Sequence, residues 1–319
     1  MKLTKKDTNI LITGAGGFIG GHLVNYLFNK GYKNIRAVDI KPLENWQQLN
    51  KKAENLTLDL SILKNCQRAS KNINEVYNLA SDMGGMGFIE NNKALCMLNV
   101  LINSNMLLAA KKAKIDRYFF SSSACVYPLN KQKNTKIAGL KEEDAYPANP
   151  EDGYGWEKLF SERMCRHFME DFGLETRIAR FHNVYGPFSE YQGGREKAPA
   201  ALIRKTIEAK ISGNHQIEIW GDGKQSRTFM YIDDCVKGID LIMHSAIKEP
   251  INLGTSQLVN IDQLVSLIET IAGITLKRKY KIDAPKGVRG RSSDNTLIKH
   301  YLNWEPSISL EKGLKKNYL

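Results

Sequence analysis

The segment from residue 9 to residue 20 constrains the fold of this chain more than any other feature. Asn9 to Thr13 is apolar enough for a short buried strand, and the glycine-rich run after it leads into a helix with apolar residues at one-turn spacing. Gly14 allows a sharp turn, Gly17 allows the backbone to approach a pyrophosphate, and Gly20 allows close helix packing. This order of strand, glycine turn and helix predicts a dinucleotide-binding βαβ unit.

The residues after the glycine turn predict which dinucleotide binds. Phe18 and Ile19 begin the helix, whose N-terminal N–H groups and dipole favour a pyrophosphate. A second strand ends in Asp39, about 20 residues further on, where a carboxylate is expected to bind the ribose. Asp39 favours NAD over NADP because its charge would repel a 2′-phosphate, although Arg36 and Lys41 are close in the sequence. We therefore expect NAD as the cofactor.

Length and composition indicate a cytoplasmic protein with neither a metal site nor a disulfide framework. The 319 residues suit one large domain or two unequal ones. The basic segment from Met1 to Asp7 leads straight into the first strand rather than into the apolar region of a signal peptide, and we expect no apolar run of the ~20 residues that cross a membrane. The five cysteines are scattered, without a Cys-x-x-Cys pair or a histidine at ligand spacing.

The net charge of +12 is compatible with several anionic partners. The lysines are spread along the chain, and their densest cluster, residues 277–281, alternates as an exposed edge strand would. No zinc-finger or RNA-binding aromatic signature accompanies them. We therefore expect a small anionic substrate, and neither a nucleic acid nor a membrane, as the partner.

The alternation of strand-like and helical segments predicts an α/β fold with a doubly wound parallel sheet, the Rossmann fold. The expected strands are Asn9–Thr13, Ile35–Val38, Leu56–Leu60, Val76–Ala80, Tyr118–Ser123 and Thr176–Phe181, and the expected helices are Ile19–Asn29, Asn91–Ala113 and Tyr154–Phe172. From about Tyr185 the rhythm changes to a glycine-rich loop, a helix near Ala198–Lys210 and short strands near Ile217–Trp220 and Phe229–Tyr231. We therefore expect residues 1–184 to form mainly the NAD-binding domain, and residues 185–319 mainly a smaller α/β substrate lobe interleaved with it.

Tyr154 and Lys158 form a candidate redox pair. Their spacing of four places them on one face of a helix, where the lysine ammonium would favour the phenolate and lower the tyrosine pKa from ~10. The tyrosine could then take a proton from a sugar hydroxyl as hydride leaves for the nicotinamide. Ser123, at the end of a predicted strand, would hydrogen-bond the same oxygen and complete a Ser/Tyr/Lys set.

Cys125 and Lys197 are candidates for a second kind of chemistry, proton exchange at carbon. Cys125 lies two residues after Ser123, so their side chains share a face if the chain stays extended. A cysteine there could act as a base once a neighbouring ketone has acidified a C–H bond, but a buried apolar role is equally compatible with the spacing. Lys197 follows two glycines, and its spacing alone does not distinguish a tuned acid/base group from a solvated loop lysine.

Eight segments in order along nearly the whole chain resemble the extended short-chain dehydrogenase/reductases, and among them the GDP-mannose 3,5-epimerases. The most specific are two loops, Met83 to Phe88 and Gly193 to Pro199. The full set is Gly14–Gly20, Asn78–Phe88, Ser122–Pro128, Tyr154–Lys158, Arg180–Pro187, Gly193–Ala201, Trp220–Gly223 and Gly287–Asn295.

The resemblance implies a nucleotide-sugar epimerase that converts GDP-D-mannose to GDP-L-galactose, and it allows GDP-L-gulose as a second product. Tyr154 and Lys158 would run the oxidation at sugar carbon 4, with NAD holding the hydride. The ketone acidifies the hydrogens on carbons 3 and 5, where Cys125 and Lys197 would exchange protons from opposite faces.

The resemblance also implies which residues line the site. It adds Asp59, beside the adenine, and Leu60 to the cofactor residues already named. It assigns to the substrate Met83, Gly84, Ser123, Cys125, Asn183, Glu196, Lys197, Ala198, Lys205, Gln225, Arg227 and Arg291. Two arginines in that set suit a pyrophosphate, because guanidinium groups make charge-assisted hydrogen bonds to it.

Two other functions remain open. A related GDP- or dTDP-sugar epimerase or 4,6-dehydratase is the first, although a dehydratase should carry an acidic pair where Ala124 and Cys125 stand. A non-catalytic NAD-binding sensor or scaffold is the second, but it has no need of the Ser/Tyr/Lys set. We also expect a homodimer joined by the helices at 95–113 and 154–172, because the apolar stripe of the first would otherwise face water. That stripe comprises Leu98, Ile102, Met106 and Ala109.

Overall fold

The computed structural model describes residues 7–318, so that most of the basic segment at residues 1–7 lies outside the described part. The strands are β1 Asn9–Thr13, β2 Asn34–Asp39, β3 Glu54–Thr57, β4 Glu75–Asn78, β5 Arg117–Ser123, β6 Glu175–Phe181, β7 Val184–Tyr185, β8 Gln216–Trp220, β9 Ser226–Thr228, β10 Met230–Tyr231, β11 Ile251–Leu253, β12 Leu258–Asn260, β13 Lys277–Lys281 and β14 Gly290–Arg291. The helices are α1 Phe18–Asn29, α2 Leu63–Ala69, α3 Met86–Asn91, α4 Lys93–Ala113, α5 Tyr154–Phe172, α6 Ala198–Ser212, α7 Ile232–Met243, α8 Ile261–Ala272, α9 Thr296–Leu302 and α10 Leu310–Tyr318.

A seven-stranded sheet lies at the centre of the fold, in the order β11-β6-β5-β4-β1-β2-β3. Every pairing within it is parallel. The predicted doubly wound Rossmann sheet is therefore confirmed. The strand order reverses beside β1, so the crevice beyond the carboxyl ends of β1 and β4 is where such sheets bind ligands.

Helices cover both faces of this sheet because alternate strand residues point to opposite sides. Ile10 and Ile12 pack toward α1 and α7, together with Leu23, whereas Leu11 packs toward the other layer. The other layer consists of α2, α4 and α5 and includes Met106 among its buried residues.

The second half of the chain contributes to both parts of the molecule. β11 extends the central sheet beside β6, whereas β8 and β13 pair in a separate two-stranded sheet and β12, β9 and β14 form a three-stranded one. In β13 the side chains of Lys277, Lys279 and Lys281 are exposed, as predicted for an edge strand.

At three of the element boundaries that differ from the prediction, a side chain takes over a backbone hydrogen bond. β3 ends at Thr57, not at residue 60, where the Asp59 carboxylate accepts the Ser61 N–H. β4 ends at Asn78, not at residue 80, because the Thr13 hydroxyl accepts the next two N–H groups. Asn92 leaves the helical conformation and its side chain bonds to the α3 backbone, which separates α3 from α4.

Helix α4 is long and apolar enough to cross a membrane, with a mean hydropathy of 1.3 over 18 residues, contrary to our expectation that no segment would be. Core helices meet the same criterion, and one face of α4 packs on the sheet. Its buried Asn103, for example, accepts a hydrogen bond from the Tyr118 hydroxyl in β5 at 2.9 Å. The expected apolar stripe is also wrong in part, because Met106 and Ala109 face this core while Leu98 is 54% exposed.

Candidate active site

The glycine turn between β1 and α1 is shaped for close backbone packing. Gly14 has a φ of +69°, and a Cβ there would lie 2.9 Å from the carbonyl carbon of Leu79. Helix α1 follows directly, capped by Gly17 with no side chain over its first N–H groups. This arrangement fits a dinucleotide pyrophosphate, which needs a bare backbone and the positive end of a helix.

Asp39 lies at the carboxyl end of β2, beside the glycine turn. It is buried and accepts hydrogen bonds from the N–H groups of Gly16 and Lys41, both at 3.0 Å. Asp59 and the buried Leu60 follow β3, the next strand outward. These three predicted cofactor residues therefore lie where consecutive strands end, on the edge of the sheet that carries the glycine turn.

Tyr154, Ser123 and Lys158 meet where β5 ends and α5 begins. Tyr154 is the first residue of α5, and the Ser123 hydroxyl is close enough to act on the pKa of its phenol. Lys158 is buried one turn later, with its Nζ 5.5 Å from the centre of the Tyr154 ring and 3.6 Å from the Glu157 carboxylate. The structure thus brings the predicted Ser/Tyr/Lys set together.

The predicted lowering of the tyrosine pKa by Lys158 does not hold in this structure. Burial raises the pKa of Tyr154 well above its ordinary value, and Cys125 and Glu157 add to the rise. The Ser123 hydroxyl acts in the opposite direction but does not reverse the rise. The Lys158 ammonium lies beside Glu157, which weakens its effect on the phenol.

Cys125 lies beside Tyr154, but the backbone that places it there differs from the predicted one. The chain does not stay extended after Ser123 but forms a single 3-10 turn, Ala124–Val126, because the Ser123 hydroxyl accepts the Cys125 N–H at 3.2 Å. The turn still places Cys125 in one buried cluster with Tyr154, Ile89 and Cys96. Burial, and then the Glu151 carboxylate, raise the pKa of the Cys125 thiol to about 11, while Arg291 partly opposes them.

Lys197 approaches Cys125 from the second half of the chain. It is the N-cap residue of α6 and is only partly exposed. Burial lowers the pKa of Lys197, and the nearby Cys125 opposes that shift. Two proton-exchange candidates far apart in sequence therefore lie within electrostatic reach of each other.

Two loops, residues 82–88 and 193–197, are bonded to each other beside the buried cluster that contains Cys125. The Arg195 guanidinium donates to the Asp82 carboxylate at 2.6 Å and lies 3.8 Å from the centre of the Phe88 ring. The Gly85 N–H donates to the Arg195 carbonyl at 3.0 Å, and a Cβ on Gly85 would collide with the carbonyl of Glu196. Met83 packs against the cluster that contains Cys125.

The remaining predicted substrate residues lie in these two loops or in the second half of the chain. Gly84 is buried, with Phe88 and Arg195 in close contact. Ala198 is the first residue of α6, and one Glu196 oxygen is buried without a hydrogen-bond partner among the described residues. The others are engaged by backbone carbonyls: Asn183 with Thr228, Lys205 with Glu218 and Gln225 with Trp220, at 3.0, 3.0 and 2.7 Å.

Arg227 and Arg291 are register neighbours in β9 and β14, but both are already bonded to the protein. Arg227 donates to the Val288 carbonyl at 2.6 Å, and burial, with the charge of Arg291, lowers its pKa to about 10. Arg291 donates to Glu151 at 2.8 Å and to the Cys125 sulfur at 3.5 Å. The structure therefore places Arg291 at the thiol.

Sequence reasoning assigned no role to Glu151 or Arg195. Glu151 lies in the loop before α5, 140 residues from its partner Arg291, and no local pattern predicts that pairing. Arg195 lies two residues before Lys197, within one of the two loops that carry the resemblance, and this position was the only signal in the sequence.

The Rossmann sheet, the bare glycine turn and the Ser/Tyr/Lys set define a dinucleotide-dependent enzyme that acts at a hydroxyl-bearing carbon. A family model described as the NAD dependent epimerase/dehydratase family matches residues 10–254. The chain belongs to this family, and NAD is its cofactor.

Curated relatives and solved structures resemble the chain over nearly its whole length. GDP-mannose 3,5-epimerase 1 of Oryza sativa subsp. japonica is 44% identical over 310 residues, 97% of this chain and 80% of that protein. GDP-mannose 3,5-epimerase of Arabidopsis thaliana is 43% identical over 314 residues, 98% and 82% of the two chains.

The structural likeness is to sugar-nucleotide 4-epimerases. UDP-glucose 4-epimerase of Thermotoga maritima, solved with UDP-glucose, superposes with a TM-score of 0.87 at 28% identity over 98% of this chain and 97% of that chain. UDP-glucuronic acid 4-epimerase of Bacillus cereus, solved with UDP-glucuronic acid and NAD, gives 0.82 at 26% identity over 98% of both chains.

Proposed function

We propose that this protein is a nucleotide-sugar epimerase that inverts carbons 3 and 5 of GDP-D-mannose to give GDP-L-galactose. The observation that carries the proposal is that Lys197 lies within electrostatic reach of Cys125, which shares a buried cluster with Tyr154. Inversion at a carbon needs one group to remove a proton and another to return it from the opposite side. Relatives named for this activity, 43% and 44% identical to this chain, support the choice of sugar.

The chain's own residues divide the chemistry between them. The Tyr154 hydroxyl exchanges a proton with the oxygen on sugar carbon 4, and the Ser123 hydroxyl holds that oxygen in place. The glycine turn, Asp39 and Asp59 would hold NAD, which would accept a hydride from carbon 4 and return it. Cys125 and Lys197 exchange protons at the carbons beside the ketone, where burial, by lowering the pKa of Lys197, makes its neutral amine easier to form.

A substrate comparison tests this proposal. Purified protein is incubated separately with GDP-mannose, UDP-glucose and dTDP-glucose, and the sugars are analysed by NMR after the nucleotide is removed. Of the three substrates, we expect only GDP-mannose to give galactose and gulose, and no cofactor should need to be added. We also expect NAD in the supernatant after the protein is denatured. Inversion of UDP-glucose at carbon 4 would instead assign the chain to the 4-epimerase activity of its structural neighbours.

We further propose that two copies pair through α4 and α5. Leu98 of α4 and Phe160 of α5 are 54% and 52% exposed, and Leu95, Met97, Leu101 and Trp156 are exposed beside them. A patch of this kind is typical of an interface. Light scattering should give a dimer for wild type and a monomer for Leu98→Glu. Ile211→Glu, at an exposed position of α6, should remain a dimer. A wild-type monomer at micromolar concentration contradicts the proposal.

A further inference from the structure

Glu151 is bound to Cys125 directly through its backbone and is linked to the thiol through Arg291. The Glu151 N–H donates to the Cys125 carbonyl at 2.9 Å. The Glu151 carboxylate lies close enough to the Cys125 thiol to act on its pKa, and it is held by Arg291, which also contacts the Cys125 sulfur. Both residues are at least nine-tenths buried, so water does not compete for these contacts.

Arg291 completes a triangle with these two residues. Its guanidinium donates to a Glu151 oxygen at 2.8 Å and to the Cys125 sulfur at 3.5 Å, and its Nε donates to Gln132 at 2.7 Å. Gly155 of α5 abuts the Cys125 carbonyl, which holds this side of the triangle rigid. The thiol therefore lies between a fixed carboxylate and a fixed guanidinium.

Several charged or titratable groups act on Cys125 from the elements around it. They are Glu151 from the loop before α5, Tyr154 from α5, Lys197 from the cap of α6, Arg227 from β9 and Arg291 from β14. The carboxylate in this set is ionised, because the charge of Arg291 lowers the Glu151 pKa against the effect of burial. Glu151 thus opposes the cations around the thiol.

We propose that Glu151, paired with Arg291, is a positioning residue that orients the Cys125 thiol and sets when it holds its proton. This inference rests on the proposed function, in which Cys125 exchanges a proton with a sugar carbon. When Cys125 donates, its S–H bond breaks, a C–H bond forms and the thiolate remains beside Arg291; when the thiolate accepts, a C–H bond of the sugar breaks and the S–H bond forms. Removing either charged partner should therefore change the proton affinity of the thiol, and in opposite directions.

The signs of the two effects make the proposal testable. Glu151→Gln keeps a hydrogen-bond acceptor for Arg291 but removes the negative charge, so the thiolate becomes easier to form. Arg291→Met removes the positive charge and leaves Glu151 unbalanced, so the thiolate becomes harder to form. A merely structural role would loosen the pocket in both variants and shift both measurements in the same direction.

The measurement is the pH dependence of Cys125 alkylation by iodoacetamide, followed by mass analysis of the peptide that contains it. We expect Glu151→Gln to react about tenfold faster than wild type at a fixed pH between 8 and 10, and Arg291→Met to react more slowly. The double variant should lie between them, and it avoids an unpaired buried charge if a single variant fails to fold. Glu162→Gln is the matched control, because it breaks another buried pair, Arg180–Glu162 at 2.7 Å, away from the thiol.

A linked measurement separates this inference from the proposed function. The pH profile of solvent-deuterium uptake by GDP-mannose should be shifted to lower pH in Glu151→Gln relative to wild type. Equal alkylation profiles in wild type, Glu151→Gln and Arg291→Met overturn the inference, as does faster alkylation in both single variants. If wild-type protein takes up no deuterium from solvent while the alkylation shifts appear, the proposed function fails and the role of Glu151 stands.

Discussion

At the scale of single residues, Tyr154 and Cys125 lie in one buried cluster, but Tyr154 acts on the O–H bond at carbon 4 and Cys125 on a C–H bond beside it. Tyr154→Phe removes the hydroxyl that exchanges a proton with the oxygen on carbon 4, so both cofactor reduction and deuterium uptake should stop. Stopped-flow absorbance at 340 nm and NMR of the sugar measure the two losses. Tyr77→Phe is the control, because this buried hydroxyl has no hydrogen-bond partner within residues 7–318. A Tyr154→Phe variant that still exchanges deuterium would contradict the assignment.

Cys125→Ala and Lys197→Ala should give the complementary result. Each removes a proton-exchange group and leaves Tyr154 intact, so cofactor reduction by GDP-mannose should persist while inversion falls by ~10²–10⁴-fold. Product analysis by NMR beside the 340 nm signal distinguishes the two steps. Cys96→Ala, a buried thiol in the same cluster, should retain activity. Wild-type inversion in either of the first two variants would make both positions structural.

At the scale of elements, the tie between loops 82–88 and 193–197 is predicted to hold the Lys197 loop closed. The Arg195–Asp82 pair is half exposed and the Phe88 contact adds a cation–π term, so together they contribute about 1–2 kcal/mol. Arg195→Ala should therefore speed amide exchange of Gly85 about tenfold. Arg166→Ala breaks an ion pair of similar length and exposure on α5 and should leave Gly85 unchanged; equal exchange in all three proteins would mean that the tie does not stabilise the loops.

The junction of α7 with the start of β4 predicts a pH-dependent stability. Burial alone would lower the pKa of His244, but the Asp240 and Glu75 carboxylates, 3.1 and 3.4 Å from its ring nitrogens, outweigh it and raise the pKa to about 10. A raised folded pKa means that this stabilisation is complete below pH ~6.5 and is lost as the pH rises toward 10. Because His244 is about one-third exposed, we expect it to contribute about 1–3 kcal/mol.

Urea unfolding at pH 6 and pH 9.5 tests this expectation. The difference in stability between wild type and His244→Gln should shrink at the higher pH. His167→Gln, which removes an exposed histidine bonded to Glu170 at 2.7 Å, should show a smaller difference at both values. An unchanged difference for His244→Gln between pH 6 and pH 9.5 would rule out its protonation as the cause.

At the scale of the whole molecule, the sequence correctly predicts the features that depend on residues close together in the chain. The strand, the glycine turn and Asp39 lie within one βαβ unit, and the spacing of Tyr154 and Lys158 is fixed by one helix. Pairings across long separations leave no local trace, such as Arg291 with Glu151 or β11 beside β6. The turn at Cys125 was missed because a capping hydroxyl, not strand propensity, decides the backbone after Ser123.

Deuterium labelling of the product tests the central claim most directly. The protein is incubated with GDP-mannose in D₂O, and the sugars are analysed by NMR and mass spectrometry. The account predicts deuterium at carbons 3 and 5, where Cys125 and Lys197 exchange protons, and retention of the original hydrogen at carbon 4, which returns within the same site. Inverted sugar without deuterium at carbon 3 or 5, or no inverted sugar at all, would contradict it.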